Sequence, residues 1–364
     1  MSARLELRVA AGAFRRLEEF LREHGFFAPG GERLVADLFL GYGLGDALRR
    51  DRRPPPAEPC PLPLLACAVR PARYVGDYDN EGEPHFGHWE PSWTELEYAA
   101  AVESVRAAIA RGDVYQANLV QHLAAPFAGS AAALAARLAP LRPHNPTPFL
   151  GPGWAIVSAS PELFLARRGR RVWTSPIKGT RPLGAGDDLT NSAKDAAEHV
   201  MIVDLERNDL SRVCEPGSVR WPELMATRPL AGVEHMVSTV EGRLREGVGL
   251  AELLEATFPG GSVTGAPKIA AIDLIAALEP VGRGASMGAL GVVRGDGDLD
   301  LALTIRTFAL AEGRAHLWVG GGVVWDSEPE AEVAESWTKA RPLLAAAGAP
   351  LPEAARAPSR VVAR

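Results

Sequence analysis

An acidic side chain and an amine are predicted to lie together at one end of a β-hairpin. The pattern predicts strands at 162–166 and 172–177, joined by a turn around Gly169. This arrangement places Glu162 and Lys178 at the same open end, within about one or two pleats of each other. A carboxyl group and an amine so placed suit a general acid and a nucleophile or base. A structural ion pair between the strands is the alternative.

Another carboxylate lies on a helix predicted at 192–212. One face of this helix carries, at helical spacing, Glu198, Ile202, Leu205 and Asp209. A carboxylate within an apolar stripe costs free energy unless it pairs with a cation or binds a metal ion. Glu198 is therefore a candidate functional group.

The last predicted helix, at 327–345, also carries acidic residues. Ser327 and Glu330 form a predicted capping box at its start. One face of the helix then carries Glu328, Glu332, Glu335 and Lys339. An ordinary ion pair between the last two of these residues, four positions apart, is the simpler explanation of part of this pattern.

The strand before this helix ends in Gly320, Gly321 and Gly322. Bare backbone amides at these positions would let an anion approach the main chain closely. Glycines followed by carboxylates suggest a magnesium site, in which hard oxygen ligands from the protein are completed by substrate and water.

Other predicted elements position these groups. A helix begins at a capping box of Thr94 and Glu97 and ends at Gly112. The next run, 113–123, alternates like a half-buried strand whose water-facing side carries Gln116, Asn118 and His122. One further helix is predicted at 267–279, and strands are predicted at 287–294, 299–311 and 314–324.

Composition excludes several classes of protein. The 364 residues carry a formal net charge of −6 and give a pI near 5.8, whereas a general nucleic-acid binder needs clustered Lys and Arg. No stretch approaches the ~18 apolar residues of a membrane span. The three cysteines, Cys60, Cys67 and Cys214, cannot all pair, which favours a reducing compartment over a disulfide framework. We therefore expect a cytoplasmic protein with no membrane or nucleic-acid partner.

Four segments together resemble a known family, the chorismate-utilising enzymes. This family comprises anthranilate, aminodeoxychorismate, isochorismate and salicylate synthases. The segments occur in the family's order, and the resemblance covers roughly residues 93–345. They are PIKGTRP at 176–182, MIVDLxRNDL at 201–210, SVTGAPK at 262–268 and DSxPxxE at 326–332.

The resemblance implies an α+β fold in which two large antiparallel β-sheets pack face to face with helices outside. Residues 93–345 would form the chorismate-binding catalytic core. Residues 1–92 are expected to complete the sheets, and residues 346–364 to form a flexible tail.

The resemblance also implies a reaction. Lysine at position 178 is similar to the aminodeoxychorismate synthases, whereas anthranilate synthases usually carry alanine there. Gln116 occupies the place where the isochorismate and salicylate enzymes have a water-activating lysine, which favours a member that uses ammonia. The implied reaction is amination of chorismate at carbon 4: Lys178 adds at carbon 2 while Glu162 protonates the departing hydroxyl. For that attack Lys178 must be unprotonated, which requires a depressed pKa.

Further roles are carried over by resemblance alone. Glu198 and Glu335 match magnesium ligands, with Glu332 as a partner that acts through these ligands or through a water molecule. His235 matches a position near the departing hydroxyl. The residues that match substrate-binding positions are Gln116, Thr264, Arg306, Gly320, Gly321, Gly322 and Lys339.

The resemblance leaves alternatives open. An anthranilate synthase component, or a non-catalytic homologue that binds chorismate or a partner, is the rival hypothesis. Ser286 stands where relatives usually carry an aromatic residue, which puts contacts to the enolpyruvyl group in doubt. No segment resembles a glutamine amidotransferase, so we expect the ammonia to come from a separate amidotransferase subunit or from solution.

Overall fold

The structure is a computed structural model that describes residues 3–73, 82–182, 193–230 and 233–352. In chain order its strands are β1 (Arg4–Leu7), β2 (Leu34–Leu40), β3 (Leu65–Pro71), β4 (His85–Phe86), β5 (Glu90–Pro91), β6 (Gln116–Ala128), β7 (Phe149–Gly151), β8 (Trp154–Ser158), β9 (Leu163–Arg168), β10 (Arg171–Ser175), β11 (Ile177–Pro182), β12 (Arg220–Leu230), β13 (Val233–Arg243), β14 (Gly265–Ala266), β15 (Ala289–Arg294), β16 (Leu299–Leu303), β17 (Thr307–Ala311) and β18 (Arg314–Val323). Its α-helices are α1 (Ala13–Glu23), α2 (Glu95–Ala110), α3 (Ala131–Leu138), α4 (Ala193–Ser211), α5 (Leu250–Thr257), α6 (Lys268–Leu278) and α7 (Pro329–Ala347).

These strands form two antiparallel sheets. The ten-stranded sheet has the order β1-β3-β2-β15-β16-β9-β10-β13-β11, with β12 paired to β13. The eight-stranded sheet has the order β14-β6-β18-β17-β8-β7, with β4 and β5 paired to β6. The two sheets pack on each other through one apolar core, in which Phe39 of β2 meets Trp154 of β8 at 6.0 Å between ring centroids. The predicted α+β fold with two large sheets is confirmed.

A second apolar core covers the other face of the eight-stranded sheet. It joins that sheet to α2, α3 and α7 through side chains such as Tyr98, Leu134 and Trp337. The predicted start of α2 is correct, since Thr94 accepts from the Glu97 amide at 3.2 Å and its own amide donates to the Glu97 carboxylate at 2.7 Å. No helix in the described ranges is long and apolar enough to cross a membrane. All three cysteines are free and buried.

The prediction that one side of β6 faces water is wrong. Gln116, Asn118 and His122 are all buried, because the ten-stranded sheet packs over the face of β6 that the alternation assigns to solvent. Their polar atoms are satisfied inside the protein instead. His122 Nε2, for example, lies 3.0 Å from His316 Nδ1 on the neighbouring strand β18.

Two further predictions are corrected. The single strand expected at 299–311 is divided between the sheets, since β16 belongs to the ten-stranded sheet and β17 to the eight-stranded one. The chain changes sheets at Arg306, which adopts a left-handed conformation with φ 51°. The capping box at the start of α7 is absent, because Ser327 donates to Glu332 at 2.6 Å and accepts from the Val324 amide.

A buried ion pair connects α6 to β6. Arg283, 2% exposed, donates twice to Glu279 at 2.7 and 2.9 Å and also donates to the Val263 carbonyl. Glu279 in turn accepts from the Val120 amide at 3.0 Å. The guanidinium lies 4.4 Å from the centre of the Tyr42 ring. One cation therefore ties together four segments beneath the eight-stranded sheet.

We expect Arg283→Met to lower the free energy of unfolding by about 3–5 kcal/mol, because it leaves the buried Glu279 without its cation. Urea unfolding checks this. The matched control is Arg314→Met, which breaks an ion pair with Glu90 at the surface and should cost less than about 1 kcal/mol. Equal losses of unfolding free energy in the two variants would contradict the stabilising role of the Arg283 ion pair.

Candidate active site

The predicted hairpin is present and brings Glu162 and Lys178 together. β9 and β10 pair through a turn in which Gly169 has φ 56°. Glu162 lies directly before β9, and Lys178 is the second residue of β11, which pairs with β13. The charge of each group shifts the pKa of the other, so the two side chains lie within electrostatic range of each other.

Glu198 of α4 joins this pair to the other sheet. Its Oε1 atom accepts from Lys178 Nζ at 2.7 Å and from Gln116 Nε2 at 2.6 Å. Lys178 belongs to the ten-stranded sheet and Gln116 to the eight-stranded sheet. One carboxylate oxygen therefore holds both sheets and a helix at the same point.

Burial and charge set the protonation of the two central groups. Burial opposes the charge of Lys178, but the carboxylates of Glu198 and Glu162 outweigh it and hold the pKa of this lysine above its usual value. The depressed pKa expected from the sequence is thus not what these carboxylates produce. Burial raises the pKa of Glu162, although Ser262 donates to its Oε1 atom at 2.7 Å. The protonated form that a general acid needs is therefore favoured at Glu162.

The three glycines of β18 lie where side chains have no room. A Cβ on Gly320 would meet the Leu119 carbonyl at 1.9 Å, and one on Gly322 would meet Gln116 Nε2 at 2.0 Å and Glu198 Oε1 at 2.6 Å. Because these positions lack side chains, the neighbouring strand, Gln116 and Glu198 can lie close against the main chain of β18.

The acidic residues of α7 surround the middle glycine of the three. A Cβ on Gly321 would lie 2.8 Å from Lys339 Nζ, 3.6 Å from Glu335 Oε1 and 3.7 Å from Glu332 Oε2. Lys339 also pairs with Glu335 at 2.7 Å and donates to the Gly320 carbonyl at 3.0 Å. The ion pair between Glu335 and Lys339 that the sequence suggested is therefore present and lies against the glycine strand.

Three carboxylates near Gly321 and Gly322 offer the hard oxygen ligands that a divalent cation prefers, namely Glu198, Glu332 and Glu335. Each of them has a partner from the protein, which is Lys178, Ser327 and Lys339 respectively. In the described part of the chain, no three acidic, histidine or cysteine side chains converge closely enough to hold a metal ion as they stand. The donor chemistry therefore fits magnesium, and binding requires these carboxylates to exchange partners.

The remaining predicted site residues lie around this centre. Arg306 follows the end of β16, is electrostatically coupled to Glu162, and has its pKa lowered by burial. His235 of β13 is buried, with Nδ1 3.3 Å from the Gly179 carbonyl, and burial lowers its pKa. Thr264 donates through its hydroxyl to the Gly260 carbonyl at 2.9 Å, which is a local structural role.

Sequence reasoning assigned no role to two polar groups beside Glu162. Ser262, its hydrogen-bond donor, lies in the segment 262–268 that was noticed only as a motif. Glu206 is a buried carboxyl on α4, about two turns beyond Glu198, and this helical spacing was the available signal.

Ser286 is fully buried, and its hydroxyl has no hydrogen-bond partner within the described residues.

Comparison with known proteins identifies the family. Residues 76–345 match the profile of the family described as chorismate binding enzyme. Anthranilate synthase component 1 of Streptomyces coelicolor is 41% identical over 316 residues, which are 83% of this chain and 58% of the relative. Aminodeoxychorismate synthase component 1 of Klebsiella aerogenes is 41% identical over 269 residues, which are 70% of this chain and 59% of the relative.

A solved structure gives the same assignment. The crystal structure of anthranilate synthase component I from Streptococcus pneumoniae is similar at a TM-score of 0.74 and 27% identity, covering 85% of this chain and 80% of that one. The chain spans less than two thirds of the length of the two curated relatives. The extent of the profile match and the shared fold together place this chain in the chorismate-binding enzyme family.

Proposed function

We propose that this protein aminates chorismate at carbon 4 to give 4-amino-4-deoxychorismate, using ammonia and a covalent adduct with Lys178. The observation that supports this most directly is the amine of Lys178, held by Glu198 within electrostatic range of a buried acid, Glu162. A nucleophile and an acid in one site suit a substitution that is divided into two easier steps.

The steps assign one task to each group. Lys178 first loses to solvent the proton that Glu198 and Glu162 stabilise on it. As the neutral amine it then adds at carbon 2, and the ring double bond shifts as the hydroxyl leaves carbon 4. Glu162 gives its proton to that hydroxyl, which departs as water. Ammonia then adds at carbon 4, the double bond shifts back, and the lysine nitrogen is expelled with its bonding pair. The proton lost by the incoming amine restores the acid, so protons balance over the cycle.

The substrate carries two carboxylates, and the site offers several cationic or amide groups for them. Lys339 and Arg306 supply positive charge, and the amides of Gly320–Gly322 can approach an anion without side-chain hindrance. Glu198 and Glu335, with Glu332 nearby, would hold Mg²⁺. The ion, when bound, supplies positive charge that offsets the charge of a substrate carboxylate among these acids.

Anthranilate synthesis is the second candidate function, because relatives of both activities are 41% identical to this chain. That reaction places the amine elsewhere on the ring and then eliminates pyruvate. A lysine at position 178, similar to the aminodeoxychorismate synthases, favours the first candidate.

One incubation tests the choice between these reactions. Chorismate, Mg²⁺ and ammonium salt should give 4-amino-4-deoxychorismate, resolved by chromatography and convertible to para-aminobenzoate by an added lyase. A chelator should stop its formation, and added Mg²⁺ should restore it. Anthranilate with free pyruvate would instead support the second candidate, and unchanged chorismate would overturn both.

We expect Lys178→Ala and Lys178→Arg each to lower amination at least about 10³-fold, because neither side chain supplies the attacking amine. Lys178→Arg keeps a cation for Glu198, so its thermal stability should stay nearer to that of the wild type. Steady-state kinetics and thermal unfolding measure the two effects. Wild-type turnover in Lys178→Arg would show that the lysine serves only as a cation.

We infer that a separate amidotransferase subunit covers the mouth of this site and supplies the ammonia. Exposed apolar side chains lie within three positions along the chain of Gln116, Glu198 and Gly322: Tyr115 is 71% exposed, Trp325 55% and Val200 47%. Aromatic residues are enriched in protein interfaces, and exposed apolar patches mark interaction sites. The names of the relatives, each a component 1, agree with a second component.

Glutamine-dependent and ammonium-dependent amination separate this docking role from catalysis. With an amidotransferase subunit present, Tyr115→Ser and Trp325→Ser should lower glutamine-dependent turnover about tenfold or more, as expected for interface aromatics. Ammonium-dependent turnover should stay within about twofold. Trp221→Ser, which alters another exposed tryptophan on β12, is the matched control. Equal loss of both activities would contradict the docking role.

A further inference from the structure

Glu206 is a buried carboxyl behind the general acid, and the proposed steps do not use it. It lies on α4, is 6% exposed, and accepts from the Thr174 hydroxyl of β10 at 3.0 Å. A carboxyl taken out of water without a cation bound to it favours its neutral, protonated form. Glu206 therefore holds a proton in the interior of the protein beside the site.

Two residues that are adjacent in the chain, Gly261 and Ser262, link Glu206 to Glu162. A Cβ on Gly261 would lie 3.3 Å from Glu206 Cγ, so Glu206 packs against the main chain there. The next residue, Ser262, donates to Glu162 Oε1 at 2.7 Å. Two adjacent residues of the segment before β14 thus contact the two carboxyl side chains.

A small cavity lies beside Glu206. Its volume is about 10 Å³, which is about the space that one water molecule needs. Its polar wall comes from Glu206, Asp209, Thr174 and Thr257, and the backbone of Gly260 and Gly261 closes one side. A single water there could exchange protons with Glu206.

The charged groups around Glu206 raise its proton affinity. Burial raises the pKa of Glu206 well above its usual value, and the charges of Glu162 and Asp209 raise it further. Lys268 of α6 acts in the opposite direction, but it is bound to Asp209 and offsets that charge first. Thr174 also opposes the rise by donating to Glu206. Among these charges, that of Glu162 raises the pKa of Glu206 most, and Lys178 and Arg306 offset part of the charge of Glu162 itself.

We propose that Glu162 and Glu206 form a coupled pair of carboxyls, connected across Gly261 and Ser262, in which Glu206 keeps a proton available for Glu162. This inference rests on the proposed amination. Two carboxyls in one enclosed site lose their protons in two separated steps, and after the first loss the remaining proton exchanges between them. Glu206 is a positioning residue here, because it acts on the substrate through Glu162.

Protons balance in this scheme. When the bond between carbon 4 and its oxygen breaks, the electron pair stays on the oxygen, and the proton of Glu162 completes a water molecule. Glu206 then passes its proton to the Glu162 carboxylate and becomes a carboxylate itself. The incoming ammonia, once bonded to carbon 4, releases one proton, and this proton restores Glu206.

The pH dependence of kcat/KM for ammonium-dependent amination tests the pair. In Glu206→Gln the amide keeps the shape and the contact with Thr174, but Glu162 then loses its proton in a single step. The alkaline limb should therefore move to lower pH by about one unit, a tenfold loss on that limb, with less than about a twofold change at the plateau. An unmoved limb in the folded variant overturns the proposal.

Thr174→Val provides a second variant with the opposite sign. It removes the donor that stabilises the Glu206 carboxylate, so the pair should keep its second proton to higher pH and the alkaline limb should move upward. If Glu206→Gln does not fold, a limb that stays in place or moves to lower pH in Thr174→Val overturns the proposal. Asp37→Asn, which alters a carboxylate of β2 that is paired with Arg70 of β3, is the matched control and should leave the pH profile unchanged.

Infrared spectroscopy separates this proposal from the proposed function. At neutral pH the wild type should show one more protonated carboxyl band than Glu206→Gln, and this measurement needs no turnover. An absent band overturns the pair even where chorismate is aminated. A present band in a protein that does not aminate chorismate places the failure in the proposed reaction, and the proton-supply role of Glu206 in that reaction falls with it.

Discussion

The site depends on one carboxylate oxygen that accepts two hydrogen bonds. Glu198 Oε1 receives Lys178 from one sheet and Gln116 from the other, and Glu198 itself stands on a helix outside both. Elements that are distant in the chain meet there because a partly buried carboxylate is stabilised when cationic or amide donors surround it. The position of the proposed nucleophile is therefore fixed by the packing of two sheets, and the same contact restrains how far the sheets can move apart.

The acids of this site work in different environments. Glu162 and Glu206 are enclosed and favour their protonated forms, whereas Glu198 and Glu335 are held by lysines. Carboxyls of one chemical type are thus divided by burial and pairing into proton donors and anionic ligands. That division is what the proposed amination, with its poor leaving group and dicarboxylate substrate, would require of one site.

Local patterns predicted much of this arrangement. The hairpin that joins Glu162 to Lys178 follows from alternation and a glycine turn, and the start of α2 follows from its capping box. The burial of Gln116 and the change of sheet at Arg306 did not follow, because both depend on packing between sheets that no local period encodes. Ser327 likewise turned from capping to Glu332 because a buried partner was available. The sequence does not single out Glu206, because its proposed role depends on its proximity to Glu162 in the folded protein.

The glycine strand has a consequence for how such a site can diversify. Any side chain on the wall formed by residues 320–322 introduces a Cβ that lies 2.8 Å or less from the main chain of β6 or from the side chains of Gln116, Glu198 or Lys339. Even the smallest added side chain collides on that wall, so selection has almost no intermediate variants there. New substrate preferences must then arise at positions outside this glycine strand, where side chains can be exchanged one step at a time.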